Sequence, residues 1–379
     1  MRTAVTDMFG IEFPIMAFTH CRDVAAEVSR AGGLGVLGVV GHSDENLETD
    51  LAWIREQVGD RPFGVDLIVP ARYEGADQGG LDTEQVKALI PEEHQQFLDD
   101  MLDRYNVPPL PDDDGPTQNW GPAAPLSSRR ADRHLEIALA YEPALVANAL
   151  GPPPPEMIVK SQAAGAKVAA LAGRAVHAER HVAAGVDLIV AQGYEAGGHT
   201  GEIGSMVLIP EVVDAVAPVP VLGAGGIGRG RQMAAAMALG AQGVWCGSVW
   251  LATEEAETTP AVKEKFLAAA SSDTERSRTL TGKPARMLRS AWTEEWNRAD
   301  TPDPLPMPLQ IILTGEARRR IDRVSHHPES GAQKLANYFV GQIVGTMNQV
   351  LPTRQVVYNL VEEFIEAVQT LSTQIEDGE

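Results

Sequence analysis

Cysteine, aromatic side chains and positive charge are all scarce in this chain of 379 residues. Its two cysteines, Cys21 and Cys246, do not make the disulfide framework of a small secreted protein, so we expect a reducing compartment. Aromatic residues account for 5% of the chain whereas glycine contributes 36 residues, a composition that suits helices packed closely on strands.

Positive charge is outweighed by negative charge, with 31 Lys and Arg against 52 Asp and Glu and a formal net charge of −21. A broad basic surface for nucleic acid or an anionic membrane is therefore not expected. No apolar run reaches the roughly 18 residues of a membrane span, and the first residues lack the basic-then-apolar layout of a signal peptide. We expect a soluble cytoplasmic protein with a small-molecule substrate. Its oligomeric state, a homodimer included, is left open.

Short apolar segments alternate with helical segments through most of the chain. This alternation is typical of βα units around a parallel sheet, and eight strands in succession predict an α/β fold that closes into a (β/α)8 TIM barrel. The predicted strands cover residues 15–18, 35–39, 63–69, 144–149, 166–171, 187–191, 219–223 and 243–247.

Short alanine-rich segments that contain a glycine recur between a predicted helix and the next predicted strand, at 163–166, 183–186 and 238–241. Glycine with positive φ caps a helix and lets the chain reverse into a strand. Generic caps would explain one such phrase, but their recurrence before apolar strands favours repeated βα units. The clearest predicted helices cover 178–184, 209–216 and 231–239.

Two regions interrupt this rhythm. Residues 71–133 are rich in Pro, Asp and Gly and too long for an ordinary connection, so we predict an inserted lid or flap after strand three, helical around 83–105. Residues 254–379 have a helical pattern that is clearest at 356–371, with a Pro-rich linker or strap at 301–308. We therefore expect a barrel domain at 1–253 and a helical C-terminal extension, 254–379, packed on the barrel.

The segment 192–201, directly after predicted strand six, carries four glycines and His199. Barrel enzymes place their sites on the loops at the C-terminal ends of the strands, and glycines let the backbone approach a flat ligand closely. A lone histidine is usually structural or exposed, but this loop position favours His199 as a base.

Two further glycine-rich segments follow predicted strands seven and eight, at 223–228 and 245–248. Backbone N–H groups at such loops, helped by the N-terminus of the next helix, bind a phosphate without basic side chains. The first string alone is a weak signal, shared with dinucleotide loops and plain turns. The Gly247-Ser248 pair one βα unit later strengthens the phosphate interpretation.

Together, Gln-Gly-x-Glu-Ala-Gly-Gly-His-x-Gly from Gln192, Ala-Gly-Gly-Ile from Ala224, and Ala-Leu-Gly-Ala-x-Gly-Val-x-x-Gly-Ser from Ala238 resemble the nitronate monooxygenase family, once called 2-nitropropane dioxygenases. The flavin-dependent enoyl-ACP reductases share much of this pattern. The match is loose over 13–66 and good over 143–272.

The resemblance implies bound FMN and a set of residues that hold it. His199 matches the family's active-site histidine, which handles the acidic carbon of the substrate or its nitronate. The implied cofactor-binding positions are Ala17, Phe18, Thr19, Asp66, Gln192, Gly197, Gly198, Gly225, Gly226, Cys246, Gly247 and Ser248.

The chain departs from the family at two of these positions. The family's first strand usually ends Gln-x-Pro-Met, whereas the aligned stretch here ends Thr19-His20, which places His20 as a second candidate catalytic residue beside the flavin ring. Asp66 stands where the family usually has Asn, which adds a carboxylate near the pyrimidine edge. Both changes bear on the substrate rather than on the cofactor.

The remaining candidates have plainer interpretations. His177 and His181 lie four apart with no third ligand in sight, so we expect a solvated helix face and no metal site. Trp292 and Trp296 are expected to pack the C-terminal segment, and Lys283 with Arg286 to form a basic turn rather than an anion site.

Three functions remain open. The first is FMN-dependent oxidation of alkyl nitronates or nitroalkanes with O2 and without a pyridine nucleotide, supported by the His199 loop. The second is an FMN-dependent reductase of enoyl thioesters or quinones that takes electrons from NAD(P)H, favoured by the altered first-strand loop. The third is a flavin-binding or phosphate-binding barrel without catalysis, which the three ligand loops disfavour.

Overall fold

The computed structural model describes residues 1–69, 83–111, 128–327 and 329–376. Eight parallel strands close a barrel in the order β1-β2-β3-β4-β5-β6-β8-β9, which confirms the predicted fold class. Those strands are β1 (Ile15–Thr19), β2 (Leu34–Gly38), β3 (Gly64–Leu67), β4 (Leu145–Asn148), β5 (Lys167–Ala172), β6 (Leu188–Gln192), β8 (Val221–Ala224) and β9 (Val244–Cys246). β1 pairs with β2 on one side and β9 on the other, which closes the ring.

Each barrel strand is buried on both faces, which is why the strands appear as short continuous apolar runs. Met16, Leu34, Val190 and Leu222 fill the interior of the barrel, and the alternate positions pack outward against the helices. All eight strands lie within two residues of their predicted bounds. The pattern found the strands because burial on both faces leaves few polar residues in them.

The helices that the structure describes follow the chain in order. They are α1 (Ala4–Phe9), α2 (Arg22–Arg30), α3 (Asp44–Val58), α4 (Thr83–Ala88), α5 (Glu92–Arg104), α6 (Ser128–Leu139), α7 (Pro155–Ala163), α8 (Ala175–Ala184), α9 (Ser205–Val216), α10 (Gly230–Ala238), α11 (Pro260–Ala268), α12 (Ala291–Trp296), α13 (Leu309–Val324), α14 (Ala332–Leu335) and α15 (Thr353–Glu376). In the described part of the chain, no helix is both long and apolar enough to cross a membrane.

The last helix, α15, packs against α10 and α2 and thus takes the place of the eighth helix in the ring around the barrel. A Cβ at Gly230 would lie 2.2 Å from the Leu360 carbonyl oxygen, so the two helices meet at a position that only glycine permits. Glu363 accepts hydrogen bonds from Arg229 Nε and from the Gly230 N–H. Residues 254–352 are therefore interposed between the eighth barrel strand and its helix.

A small antiparallel sheet joins this interposed segment to the loop after β6. It consists of β10 (Thr274–Ser277), β11 (Ala285–Leu288) and β7 (Gly198–His199), in the order β10-β11-β7. Ala285 is paired with His199 in the register. The segments on the two sides of the predicted boundary at 253/254 thus contribute to the same small sheet and to the same ring of helices.

The described part of the insertion lies on the interposed segment. Where the sequence predicts one helix around 83–105, Pro91 separates α4 from α5, and both pack on α13. His94 Nε2 lies 2.9 Å from the Asp303 carbonyl oxygen, and the Tyr105 hydroxyl donates to Glu295. Residues 70–82 and 112–127, on which the predicted lid mainly depends, lie outside the described residues.

Candidate active site

A cavity of about 300 Å³ opens at the C-terminal ends of the barrel strands. That volume lies at the lower end of the ~300–1,000 Å³ common for small-molecule sites. Its walls come from all eight strand ends and from the interposed segment 254–352. The cavity brings together the predicted site residues Phe18, Thr19, His20, Asp66, Gln192, Gly197, Gly198, His199, Gly225, Gly226, Cys246, Gly247 and Ser248.

Ala17 is the predicted site residue that the cavity does not include. It lies fully buried in the hydrophobic core on the outer side of β1. Because side chains alternate along a strand, the neighbouring Phe18 points to the cavity instead. Ala17 can therefore meet a ligand only through its backbone.

The floor of the cavity is the uppermost layer of the barrel interior. The rings of Phe18 and Trp245 stack there with centroids 6.3 Å apart and an interplanar angle of 20°. Asp66 at β3 and Gln192 at β6 are the predicted polar residues whose strands end at this level. A flat, mainly apolar ligand with polar edges is the kind of molecule that such a floor accepts.

Glu195 holds two of the glycine loops together, a role that the sequence motif did not reveal. Its carboxylate accepts hydrogen bonds from the Ser205 N–H at 3.0–3.1 Å, and Ser205 Oγ lies 2.9 Å from the Gly225 carbonyl oxygen. The Gly193 N–H donates to the Ala224 carbonyl oxygen. The loop after β6 is thereby fixed against the loop after β8.

Gly225 and Gly226 adopt φ angles of 93° and 68°, in the left-handed region that favours glycine. The expected help from the following helix is absent, however, because its first N–H groups are already occupied. Gln232 Oε1 accepts from the Gly228 and Arg229 N–H groups, and Glu363 accepts from that of Gly230. The groups left for an anion at this end of the barrel are the loop glycines themselves and the start of the short 3-10 helix at Ser248–Ala252.

His199 lies on β7 and lines the cavity. Its Nδ1 lies 3.2 Å from the Pro284 carbonyl oxygen. Because a carbonyl oxygen only accepts, Nδ1 carries the proton and Nε2 is the basic nitrogen. Burial lowers the pKa of His199, which outweighs the opposing effect of the Pro284 carbonyl, and Lys283 lowers it further. The imidazole is therefore neutral at pH 7 and able to accept a proton.

His20 also lines the cavity, with Nδ1 2.8 Å from the Gly38 carbonyl oxygen and its ring edge-on to Phe18 at 5.1 Å. Burial lowers the pKa of His20 to about 4, against the raising effect of the Gly38 carbonyl. A Cβ at Gly38 would lie 2.7 Å from His20 Cε1, so glycine at that position makes room for the ring. His20 is a neutral polar group beside the floor.

Asp66 is 2% exposed, and its Oδ2 has no hydrogen-bond partner among the described residues. Burial raises the pKa of this carboxyl to about 8, although a hydrogen bond from the Ala149 N–H acts in the opposite direction. Most of the population is therefore a neutral acid at pH 7. An orphaned buried polar atom in a cavity calls for a partner that the protein itself does not supply.

The cavity also includes residues that no sequence motif indicated. Arg130 and His134 come from α6, which spans the predicted end of the insertion. Nine more come from the interposed segment: Leu280, Thr281, Met307, Ile311, Arg318, Tyr338, Phe339, Gly341 and Ile343. None stands in a recognisable motif.

Three of the plainer sequence interpretations can be compared with the structure. Trp292 and Trp296 are both buried in the core of the interposed segment, which confirms the packing role. The solvated face predicted for His181 is wrong, because the side chain is buried with Nε2 3.2 Å from the Leu171 carbonyl oxygen. The basic turn is wrong for Arg286, which is 2% exposed and lies 4.5 Å over the Tyr194 ring.

Both cysteines are buried thiols rather than thiolates. Burial raises the pKa of the Cys21 thiol to about 11 and that of Cys246 to about 12, so both stay protonated at neutral pH. Cys246 lines the cavity as a small apolar group, and Cys21 lies in the core behind β1.

A closed parallel barrel with glycine loops after its seventh and eighth strands and a neutral histidine over the mouth defines a class, the flavin-type oxidoreductase barrels. The family model for nitronate monooxygenase matches residues 2–363. The chain belongs to the nitronate monooxygenase family, and it is an oxidoreductase.

Similar proteins support the same assignment over the whole length. A Mycobacterium tuberculosis protein, Rv1533, provisionally named a monooxygenase, is 58% identical over 97% of this chain and 98% of its own. A Staphylococcus haemolyticus protein with the name probable nitronate monooxygenase is 29% identical, over 97% of this chain and 98% of its own.

Solved structures with the same fold include a nitroalkane oxidase from Streptomyces ansochromogenes. It is 28% identical with a TM-score of 0.77, over 97% of this chain and 100% of that one. FabK from Thermotoga maritima is 26% identical with a TM-score of 0.71, over 99% of both chains. These similarities imply a flavin cofactor.

Proposed function

We propose that this protein uses FMN to oxidise alkyl nitronates and nitroalkanes with O2, and that His199 acts at the acidic carbon of the substrate. The observation that carries the proposal is the neutral His199 imidazole, whose basic Nε2 belongs to a side chain lining the cavity over the Phe18–Trp245 floor. Family membership and the fold of the nitroalkane oxidase support it.

The residues at the cavity fit FMN on three counts. The left-handed loop at Gly225 and Gly226 exposes backbone to a phosphate, with Gly247 and Ser248 beside it. Phe18 and Trp245 supply a flat apolar floor. Asp66 has an orphaned oxygen for the polar edge of a ring system.

The other proposed cofactor contacts can likewise be divided between the flavin ring and the phosphate. Thr19, Gln192, Gly197 and Gly198 lie beside the floor, and Cys246 ends the strand that leads into Gly247 and Ser248. Ala17 contributes backbone only. When bound, FMN supplies the electron transfer between the substrate and O2.

His199 has two distinct tasks with the two forms of substrate. With a neutral nitroalkane, Nε2 accepts the proton from the carbon next to the nitro group, because the lowered pKa keeps the imidazole unprotonated at neutral pH. With a preformed nitronate this proton transfer is unnecessary. His199 is then not needed as a base, and its Nε2 can donate a hydrogen bond to the anion only when the imidazole is protonated.

The wall from the interposed segment suits an alkyl chain. Leu280, Met307, Ile311 and Ile343 line the cavity with apolar side chains, and Phe339 has its ring centroid 6.4 Å from that of His199. We propose that the alkyl part of the substrate packs against these residues, which leaves the nitro carbon near His199.

The test is oxygen uptake by the flavin-loaded protein, given a small alkyl nitronate and no NAD(P)H. We expect rapid uptake with nitronate and slower uptake with the neutral nitroalkane. No uptake with either substrate, while NAD(P)H bleaches the bound flavin, would refute the oxidase and support the reductase of enoyl thioesters or quinones. Flavin binding without turnover of any of these would favour a binding function.

A further inference from the structure

Asp66 occupies a special position in the floor of the cavity. It is the last but one residue of β3, and β3 lies four places from β8 in a ring of eight strands, directly across the barrel from the glycine loop of Gly225 and Gly226. A ligand whose phosphate lies at that glycine loop and whose ring crosses the floor brings its far edge to Asp66. The placement of this side chain follows from the barrel order alone.

Asp66 lines the cavity with a buried carboxyl group that the side chains beside it on the neighbouring strands do not satisfy. In the parallel register, Gly38 and Ala147 flank Asp66 on β2 and β4, and neither carries a polar side chain. The carboxyl group shares the Ala149 N–H with the Leu67 carbonyl oxygen, and Oδ2 has no partner within the described part of the chain. No described residue satisfies this oxygen, so a ligand in the cavity is its available partner.

We infer that Asp66 serves the bound flavin as a carboxylic acid, donating one hydrogen bond to the ring and accepting another, so that a proton on this side chain controls flavin affinity. The inference rests on the proposed function, because it needs a flavin in this cavity. A neutral carboxylic acid offers one O–H donor and one C=O acceptor, the same pair that an asparagine amide offers. A carboxylate offers acceptors only, and it would face the carbonyl oxygens of a flavin pyrimidine with like polarity.

Other titratable and charged groups share the cavity with Asp66. His20 follows β1, and Arg130 and His134 come from α6, while β2 and β4 contribute Gly38 and Ala147 at this level. Burial lowers the pKa of His20 and of His134 to about 4, and Arg130 stays charged at any pH compatible with folding. Between pH 6 and 9.5, Asp66 is thus the group among these that changes charge.

The experiment compares FMN binding by the wild-type protein and by Asp66→Asn, both stripped of flavin, by quenching of FMN fluorescence from pH 6 to 9.5. We expect equal affinity at pH 6, because Asn replaces the neutral acid. Above about pH 8 the wild-type affinity should fall roughly tenfold per pH unit relative to the variant, as linkage to one proton requires. The ratio of the two affinities cancels the ionisation of FMN itself and of every group the proteins share.

A second variant, Asp66→Ala, tests the hydrogen bonds independently of the titration. It lacks donor and acceptor, so we expect about tenfold weaker FMN binding at pH 6, the value of a hydrogen bond of ~1.4 kcal/mol. A pH-independent ratio between wild type and Asp66→Asn, or full affinity of Asp66→Ala at pH 6, would overturn the inference. Failure of the wild-type protein to bind FMN at any pH would instead overturn the proposed function.

Discussion

The two walls of the cavity are built in opposite ways. The wall after β6, β8 and β9 consists largely of glycine backbone in fixed turns, held together by Glu195 and Ser205. The wall from residues 254–352 consists of side chains, with Phe339 and Tyr338 among them. The first wall suits a constant cofactor whose phosphate needs N–H groups, and the second suits a variable substrate that needs shape.

The largest effect should come from Gly226→Val, which adds a side chain to the wall of glycine backbone after β6, β8 and β9. We call this wall the backbone wall and the wall from residues 254–352 the side-chain wall. Gly226 has a φ of 68°, which a β-branched residue avoids, and an added Cβ would lie 3.5 Å from Glu195 Cβ, so valine would distort the loop that we propose for the phosphate. We expect FMN affinity to fall by about 100-fold or more, equal to ~2.7 kcal/mol. Flavin content after purification and fluorescence titration measure it.

The matched control is Gly165→Val. Gly165 has a φ of 87° with open space around it and does not line the cavity, so it carries the same backbone strain without the ligand. We expect normal flavin content in the Gly165→Val control and loss of flavin from Gly226→Val. Equal flavin content in both variants would contradict the proposal that this loop binds the phosphate of FMN.

The next largest effect should come from His199→Asn, at the junction of the two walls. We expect retained flavin but roughly 100-fold slower turnover of neutral nitroalkane, since the base is lost, and a smaller loss with preformed nitronate. In the wild type, nitroalkane turnover should rise with pH up to the lowered pKa of His199 and stay level above it, because only the neutral imidazole accepts a proton.

His177→Asn is the matched control, because His177 is exposed on α8 and does not line the cavity. It should leave the rates and the pH profile unchanged. Equal turnover of nitroalkane and nitronate by His199→Asn and the wild type would exclude His199 from the reaction.

The backbone wall was predictable from the sequence for a physical reason. Glycine at a strand end has few purposes other than positive φ or close approach, so the strings at 192–201 and 223–228 located the loops directly. The barrel strands were equally predictable from the sequence, since burial on both faces makes them short apolar runs. Both signals are local in the chain.

The side-chain wall was not predictable because its signal is not local. Met307 and Phe339 are ordinary apolar residues in sequence, and contacts between distant parts of the chain, such as the β7–β11 pairing, bring their segment over the cavity. The place of α15 in the helix ring was missed for the same reason, since its amphipathic pattern does not reveal its partners. The occupied N-terminus of α10 depended on Glu363, 133 positions from Gly230.

The two walls are in close backbone contact at Gly341, and Gly341→Ala should disrupt this contact. A Cβ there would lie 2.6 Å from the Glu195 carbonyl oxygen and 2.9 Å from the Gly197 nitrogen, both backbone atoms that cannot move independently. We expect a loss of about 1–3 kcal/mol in the free energy of unfolding, as for other overpacked sites. Denaturant titration of the flavin-free protein measures it.

Gly204→Ala is a suitable control, because its φ of −69° is ordinary and its nearest contact would be 3.4 Å. The control should lose less than half as much stability as Gly341→Ala. Similar losses in both would mean that the two walls are not rigidly joined at Gly341.

The smallest effect should come from Ser248→Ala, which removes one hydroxyl shared by the two walls. Ser248 Oγ accepts a hydrogen bond from the Gly341 N–H at 2.8 Å, which leaves its own proton available for a phosphate oxygen. We expect FMN affinity to fall by about fivefold, or ~1 kcal/mol, the usual net value of one hydrogen bond. Ser248→Thr keeps the hydroxyl and should retain full affinity. If Thr and Ala weakened FMN binding equally, the hydroxyl would bind only Gly341, and the phosphate would be held by backbone alone.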